Sequence, residues 1–402
     1  MATDPLADAV SRQYERWVYP EPIEDLPGWL AGSWQWFDPS HSQRVLWPDR
    51  PEPRDLDILV AGCGANQAAV LAYTNPGSRI VGVDVSQPSL DHHRSLKERY
   101  RLDNLELELL PIEDVAALGR DFDLVVSTGV LHHLADPAVG MATLAGRLRP
   151  DGVAAIMLYA RYGRIGVELM QGVFRDLGLV QDEVALEVVR EAVAALPDDH
   201  PLQPYLAIAP DLAFDAGLVD TFLHGRDRSY TTGECVELAT GAGLVFDDWF
   251  LQAPYAPPDP ATPFGAAVAT LPREAQWSVM ERIHPRNGCH FFTACRPERP
   301  PATYRVDLDG PGLVDCVPFL RHRCTLEGGR VARHDWGTPI DATQYALLRL
   351  VDGRRTVGEI LGAGRAGTEL DGRDEAARLD YARALFGSLR QMDIVGLGIR
   401  AA

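Results

Sequence analysis

Between Asp57 and Ala160, short apolar runs alternate with longer stretches of helical periodicity. The runs are rich in branched aliphatic residues, as in DILVAG and RIVGVDVS, and helical patterns such as QPSLDHHRSLKERYR follow them. Continuous apolar strands separated by helices are typical of a parallel sheet that is covered on both faces. The sequence therefore predicts an α/β fold in this part of the chain.

Two later apolar runs, LVFDDWFLQ and CHFFTACRP, are predicted to add strands to this sheet. The segments before each of them, at about 161–230 and 253–288, are predicted insertions, the first mostly helical. Thr231 or Thr232 is predicted to cap a helix that runs to about Ala242. The three predicted parts are an N-terminal helical or lid segment (1–50), the α/β core (51–297) and a small C-terminal accessory module of α or α+β type (298–402).

Charge and cysteine content limit the classes of function. A formal net charge of −19 disfavours a nucleic-acid partner, because such proteins neutralise phosphates with basic residues. The six cysteines form no C-x-x-C pair, so neither a zinc knuckle nor a disulfide scaffold is indicated. No metal is expected, because Asp123 and Asp136 are too far from the end of the fourth strand to form a carboxylate cluster there. No apolar run approaches the length of a membrane span, and we expect a cytoplasmic protein.

A glycine pair follows the first predicted strand. Gly62 and Gly64 come where the carboxyl end of a parallel strand meets a helix N-terminus, and Asp84 ends the next strand, twenty residues after Gly64. This arrangement predicts a nucleoside-bearing cofactor whose ribose hydroxyls reach Asp84. A dinucleotide fingerprint requires a third small residue, and Gln67 stands at that position, so NAD and FAD are disfavoured.

Four motifs in order resemble the class I S-adenosylmethionine-dependent methyltransferases: ILVAGCGANQ, IVGVDVSQPSL, FDLVVSTGVLHHLADP and LRPDGVAAIMLYA. The resemblance implies a Rossmann-like seven-stranded methyltransferase sheet and S-adenosyl-L-methionine as the cofactor. It implies contacts to the methionine part, the ribose, the adenine and the methyl-donating end. In that order, the implied residues are Ala61, Gly62, Cys63 and Gly64; Asp84 and Val85; Ile112 with Glu113 or Asp114, because Pro111 stands where many relatives have an aspartate; and Ser127, Thr128 and Gly129. The segment SRQYERWVYPEP also resembles a stretch that precedes this domain in some bacterial proteins. In this chain, Tyr14 and Tyr19 are expected either to close over the cofactor or to dock the first helix.

Three histidines are candidates for a catalytic base. An oxygen nucleophile must lose its proton during methyl transfer, which favours a histidine near the methyl group. His132 and His133 follow the fourth strand, and His224 lies in LHGRDRSY near Arg226 and Asp227. The alternative is that these side chains have structural hydrogen bonds only.

The predicted function is methyl transfer to an unidentified small-molecule or protein acceptor, and a homodimer is compatible with it. The residues after the fourth strand, STGV, lack the motif of nucleobase-modifying methyltransferases. The alternative is a non-catalytic protein that binds S-adenosylmethionine or another metabolite and whose C-terminal module is an interaction surface.

Overall fold

A seven-stranded sheet with strand order β3-β2-β1-β4-β5-β7-β6 organises the N-terminal part of the computed structural model. The structure describes residues 8–52, 54–284, 286–308, 310–333 and 336–400. Its strands are β1 (Asp57–Ala61), β2 (Arg79–Asp84), β3 (Leu105–Leu109), β4 (Phe122–Thr128), β5 (Leu148–Tyr159), β6 (Val245–Trp249), β7 (Cys289–Cys295), β8 (Val317–Leu320), β9 (Thr325–Glu327), β10 (Arg330–Arg333), β11 (Trp336–Pro339) and β12 (Val395–Gly398).

Sixteen α-helices are present in the described part of the chain. They are α1 (Ala9–Arg16), α2 (Leu26–Gly32), α3 (Pro39–Leu46), α4 (Gln67–Thr74), α5 (Gln87–Tyr100), α6 (Pro137–Ala145), α7 (Ile165–Asp176), α8 (Glu183–Ala194), α9 (Gln203–Leu206), α10 (Asp215–Phe222), α11 (Thr232–Gly241), α12 (Pro263–Ala269), α13 (Arg273–Met280), α14 (Ala342–Leu348), α15 (Val357–Gly364) and α16 (Glu375–Gln391). None of these helices is long and apolar enough to cross a membrane.

The central strands are parallel and buried, as the apolar runs predict. Ile58 lies opposite Ile80 on β2 and opposite Leu124 on β4, and all three side chains are fully buried. β7 runs antiparallel to β5 on one side and to β6 on the other. The prediction of an α/β, Rossmann-like seven-stranded sheet is confirmed.

The predicted cap of α11 is also observed. Thr231 is the N-cap residue, and its hydroxyl accepts a hydrogen bond from the Glu234 N–H at 3.2 Å. The Glu234 carboxylate accepts the Thr231 N–H at 2.7 Å, which completes a capping box. This helix leads directly into β6.

Contacts between residues divide the chain into two units. The first unit holds the described residues up to Gln35, together with Arg54–Trp249 and Pro257–Glu298. The second unit holds Trp36–Pro53, Phe250–Ala256 and the described residues from Arg299 onward. The three-part division predicted from the sequence stays a prediction.

The second unit is an α+β structure. It contains a three-stranded antiparallel sheet (β9, β10, β11), a two-stranded sheet (β8, β12) and the helices α14 to α16. Its core includes Leu347, Ile360 and Phe386, each fully buried. Residues 36–53 belong to this unit because they bond to it: Arg44 donates to the Gly353 carbonyl at 2.9 Å, and its guanidinium lies 4.4 Å from the centre of the Phe319 ring.

Candidate active site

The glycine loop turns at the carboxyl end of β1. The N–H groups of Gly62 and Cys63 both donate to the Val83 carbonyl, at 2.9 and 3.0 Å, which ties the loop to the end of β2. Gly62 has a φ of +73° and Gly64 a φ of +52°, a region that residues with a Cβ rarely adopt. A Cβ at Gly62 would lie 2.4 Å from Cγ2 of Val130. The loop therefore needs glycine both for its backbone and for close packing.

Gly62→Ala should lower the free energy of unfolding by about 2–5 kcal/mol, because the left-handed backbone conformation and the overlap with Val130 both carry a cost. Gly243→Ala is the matched control, since Gly243 has a φ of +80° but no heavy atom within 4 Å of a built Cβ. The control should lose only about 1–2 kcal/mol in the same urea titration. Equal losses of unfolding free energy in the two variants would show that the overlap with Val130 adds nothing to the cost of Gly62→Ala.

Asp84 holds the glycine loop through its carboxylate. Its Oδ2 accepts the Gly64 N–H at 2.8 Å, and its Oδ1 accepts the Ser86 N–H at 2.9 Å. Burial raises the pKa of Asp84, while the backbone N–H groups of Ser86, Gly64 and Val85 oppose that shift. Each carboxylate oxygen has a second lone pair. A buried carboxylate with spare acceptor capacity at this strand end fits a ribose diol.

The N-terminal segment lies over the glycine loop. The Asn66 side chain accepts the Ile23 N–H at 2.8 Å and donates to the Glu21 carbonyl at 2.7 Å. A Cβ at Gly64 would lie 2.9 Å from Cδ of Pro20. The Ser86 hydroxyl donates to the Tyr14 carbonyl at 3.1 Å. Tyr14, predicted as a cofactor contact, thus lies beside the end of β2.

The other predicted cofactor contacts lie along the same edge of the sheet. Thr128 accepts a hydrogen bond from Gln67 Nε2 at 3.1 Å, so the residue in place of the third glycine links the loop to the end of β4. The Ser127 hydroxyl is buried without a hydrogen-bond partner. Of the remaining predicted contacts, three are buried, namely Ala61, Cys63 and Ile112, and two are half-buried, namely Val85 and Glu113. Gly129 has a φ of +75°.

His133 is held in one tautomer. Its Nδ1 lies 2.8 Å from the Arg226 carbonyl oxygen, and because a carbonyl only accepts, Nδ1 must carry the proton. The lone pair of the neutral ring is then on Nε2, which is buried and has no hydrogen-bond partner. His224 stacks on this ring, with centroids 3.9 Å apart, and its own Nδ1 accepts the Arg226 N–H at 2.9 Å.

His132 has a different environment from its neighbour. Its ring stacks on Tyr159, with centroids 3.8 Å apart, and both of its nitrogens are buried without partners. Burial lowers the pKa of His132 well below its ordinary value, and the neighbouring His133 adds to that shift. Burial and His133 lower the pKa of His224 in the same way. The rings of His132 and His224 are therefore uncharged at neutral pH.

Asp220 connects the histidines to the N-terminal segment. Its carboxylate accepts the Tyr14 hydroxyl at 2.8 Å and the Tyr159 hydroxyl at 3.0 Å. Burial raises the pKa of Asp220, while His133 and the two tyrosine hydrogen bonds oppose that shift. The Tyr14 hydroxyl also lies 3.4 Å from Nε2 of His224. The candidate base, a carboxylate and the covering segment thus form one hydrogen-bonded and stacked cluster.

Arg164 supplies a buried positive charge beside this cluster. It donates to the Tyr205 hydroxyl at 2.7 Å and to Asp227 at 3.0 Å, and its guanidinium lies 3.7 Å from the centre of the Tyr159 ring. Burial alone would lower the pKa of Arg164, but Tyr205, Tyr159 and Asp227 outweigh it and raise the pKa. The sequence analysis missed Arg164, Asp220 and Tyr159. A detectable signal was Asp220, a single acid in the apolar run GLVDTF.

Two groups of possible metal ligands occur among the described residues: His132, His133 and Asp227, and His133, Asp220 and His224. In the second group both Asp220 and Nδ1 of His224 already accept hydrogen bonds. Coordination of a metal by the second group would therefore displace these hydrogen bonds. The expectation that no metal takes part stays a prediction.

His93, on α5, was also missed. The ring lies against the backbone of Cys63 and Gly64, is fully buried, and has no hydrogen-bond partner at either nitrogen. Burial lowers the pKa of His93 to about 4. This histidine therefore lies beside the glycine loop as an uncharged ring.

Between about pH 6.5 and pH 4, His93 binds a proton in the unfolded chain but not in the folded one, so its contribution to stability falls as the pH falls. Relative to His93→Leu, the natural protein should lose about 3 kcal/mol more free energy of unfolding between pH 7 and pH 4. Urea titrations of both proteins across that range measure the difference. Parallel curves would mean that the folded protein accommodates the charged ring.

Comparisons with known proteins point to one family. Residues 59–154 match the methyltransferase domain family. The chain is 32% identical over 255 residues to an uncharacterized protein of Synechococcus, covering 60% of each chain. It is 28% identical over 170 residues to the tRNA 5-carboxymethoxyuridine methyltransferase of Escherichia coli K12, covering 40% of this chain and 62% of that protein. The chain thus spans about 60% of the length of these curated relatives.

A solved structure shares the fold over most of the chain. PKMT2 from Rickettsia typhi, determined in complex with AdoHcy, superposes with a TM-score of 0.63 over 90% of this chain and 75% of that one. The sequences are 16% identical, so the likeness concerns the fold alone. The sheet order, the glycine loop with Asp84 and the match at residues 59–154 agree with one another. Residues 59–154 thus form a methyltransferase domain, and its sheet has the class I S-adenosylmethionine-dependent arrangement.

Proposed function

We propose that this chain transfers the methyl group of S-adenosylmethionine to a protic nucleophile presented at His133. The observation that carries the proposal is the buried Nε2 of His133, whose lone pair is fixed by the hydrogen bond from Nδ1 to the Arg226 carbonyl. His133 follows the end of β4 by five residues and so belongs to the edge of the sheet that carries the glycine loop. A base at this edge stands on the same side as the cofactor residues.

The cofactor residues are assigned from the same edge. Gly62 and Gly64 would hold the methionine part, Asp84 the ribose hydroxyls, and the backbone near Ile112 the adenine. When bound, S-adenosylmethionine supplies an electrophilic methyl group on a sulfonium. For this type of reaction, most of the rate acceleration comes from alignment of the two reactants and from exclusion of water. Tyr14 and Pro20, which cover Gly64 and Ser86, would provide that exclusion.

The proton of the acceptor would move to Nε2 of His133. The positive charge that forms on the ring would be stabilised by Asp220 and by Asp227, whose carboxylate oxygen lies 4.0 Å from Nδ1. His224, stacked on the same ring and uncharged, adds no repulsion of its own at neutral pH. A hydroxyl or a protonated amine needs such a base, whereas a thiolate does not.

The acceptor is proposed to be a small molecule or a protein side chain. The absence of a nucleic-acid partner stays a prediction from the charge of −19, since the Escherichia coli relative is named for tRNA. The insertion between β5 and β6 would select the acceptor, because it contributes Asp220 and His224, which lie beside the proposed base.

Two measurements on the purified chain test the proposal. Calorimetric titration with S-adenosylmethionine, S-adenosylhomocysteine and NAD should give micromolar binding of the first two and none of NAD. Transfer of isotope-labelled methyl is then followed with three acceptor pools: small metabolites, proteins and tRNA. Binding with no transfer to any pool would instead support the alternative of a non-catalytic S-adenosylmethionine-binding protein, and no binding at all would exclude both.

A further inference from the structure

Three side chains beside the carboxyl end of β4 have buried ligand atoms without a partner. One ligand atom each of His132, His133 and Asp227 lies within 4.8 Å of those of the other two. The two histidines are 1% and 3% exposed. Both nitrogens of His132, Nε2 of His133 and Oδ1 of Asp227 are buried without a hydrogen bond. Buried polar atoms are nearly always paired in proteins, so their convergence here points to a ligand.

The remaining polar atoms of His133 and Asp227 are held by hydrogen bonds. Nδ1 of His133 donates to the Arg226 carbonyl, which leaves Nε2 as the nitrogen with a lone pair. Oδ2 of Asp227 accepts from Arg164 at 3.0 Å and from Gln171 Nε2 at 2.8 Å, which leaves Oδ1. Histidine and carboxylate ligands of metal ions are typically oriented in this way, by hydrogen bonds to the atom that does not bind the ion.

Two imidazoles and one carboxylate select the kind of ion. Nitrogen ligands favour Zn²⁺ and similar transition metals, whereas Mg²⁺ and Ca²⁺ prefer oxygen ligands. Two ligand atoms of a tetrahedral Zn²⁺ lie about 3.4 Å apart, so the three side chains need to close by at most about 1.5 Å. Three protein ligands leave a fourth position for water or another small ligand.

The charges around these side chains are compatible with a cation. Arg164 opposes an ion, but its charge is offset by its bond to Asp227 at 3.0 Å. Arg226 is likewise paired with Asp8, at 3.0 Å. Asp220 adds a further carboxyl group, which has an oxygen within 4.8 Å of a ring nitrogen of His133. A divalent ion would therefore not meet an excess of positive charge.

We propose that His132, His133 and Asp227 form a binding site for Zn²⁺ or a similar divalent transition-metal ion. The ion takes no part in methyl transfer. It would engage the lone pair of His133 and so inhibit turnover, and this consequence alone rests on the proposed function, in which His133 is the base. The enzyme would then respond to the free concentration of such ions.

Competition with a chromophoric chelator measures the Zn²⁺ affinity of the full chain. The natural protein should bind one Zn²⁺ with micromolar or tighter affinity, and Co²⁺ should give the visible absorption of a tetrahedral site. Asp227→Asn should weaken Zn²⁺ binding at least about a hundredfold. Its amide oxygen at the place of Oδ2 keeps the bonds from Arg164 and Gln171, while the amide nitrogen replaces the free Oδ1. His132→Phe, which retains a ring beside Tyr159, should have a similar effect.

His93→Phe is the matched control. His93 is also fully buried with both nitrogens unpartnered, but it belongs to neither ligand group found among the described residues. Its variant should bind Zn²⁺ as tightly as the natural protein. If the larger ring of His132→Phe prevents folding, Asp227→Asn, which hardly changes the side-chain volume, decides the question.

A natural protein that binds no Zn²⁺, or ligand variants that bind it as tightly as the control, would overturn the site. The effect on turnover is measured separately, by titrating Zn²⁺ into the labelled-methyl experiment and then removing it with a chelator. Inhibition that follows the occupancy of the site and is reversed by the chelator is expected. Zn²⁺ that binds through these residues without inhibition would confirm the site and count against His133 as the base.

Discussion

His133→Asn is expected to lower kcat about a hundred- to a thousandfold while it changes the affinity for S-adenosylmethionine by less than about twofold. The asparagine amide can still donate to the Arg226 carbonyl in place of Nδ1, so the local backbone keeps its hydrogen bond. What the variant lacks is the lone pair at the position of Nε2. Turnover at saturating cofactor, with the acceptor found in the labelled-methyl experiment, measures the effect.

His290→Gln is the matched control for this variant. His290 is also a buried histidine whose pKa burial lowers to about 4, and it also contacts a backbone carbonyl, through Nε2 to Tyr230 at 2.9 Å. Glutamine keeps a donor at that position, so turnover should remain within about threefold of the natural protein. Equal losses of turnover and cofactor affinity in His133→Asn would assign His133 to binding, and an unchanged kcat would show that His133 is not the base.

Asp84→Asn should weaken S-adenosylmethionine binding by roughly 1.5–3 kcal/mol, or about 10- to 150-fold. Two effects act together. The charge that would hold the ribose hydroxyls is lost, and the new amide group turns a donor toward the N–H of either Gly64 or Ser86, both of which need an acceptor. Calorimetric titration of the folded variant gives the affinity directly.

Asp123→Asn controls for general damage to the sheet. Asp123 is a buried carboxylate on β4 that accepts the Asp57 N–H at 2.9 Å, much as Asp84 accepts the Gly64 N–H, but it is near the start of its strand. Its replacement should lower stability and leave cofactor affinity unchanged. Similar affinities for S-adenosylmethionine in Asp84→Asn and the natural protein would remove Asp84 from the ribose site.

The glycine loop was predictable because its determinants are local. Gly62 and Gly64 follow an apolar strand directly, and Asp84 is at a fixed remove, so the sequence alone indicates a nucleoside site there. The strand prediction succeeded for the same reason, since a fully buried parallel strand needs an uninterrupted apolar run.

The histidine cluster was only partly predictable. His132, His133 and His224 were recognised as candidates, but nothing in the sequence distinguishes an imidazole whose tautomer is fixed by a carbonyl from one that stacks on a tyrosine. Arg164 and Asp220 are 56 residues apart. Their place beside Tyr159 depends on how the insertion folds back over the sheet, and local periodicity holds no information on that. Residues 36–53 escaped assignment to the second unit because their partners, such as Gly353, are equally remote.

The strand order constrains how the first unit is completed during synthesis. Among the described residues β6 pairs with β7 alone, and β7 is made some forty residues later, after α12 and α13. Until then, one edge of the apolar strand β5 has no partner either, and unpaired apolar edges are prone to association with other chains. In the nascent protein, one edge of its longest described strand therefore stays unpaired until Cys295 has emerged from the ribosome. A chaperone that prevents association with other chains would have its largest effect during this interval.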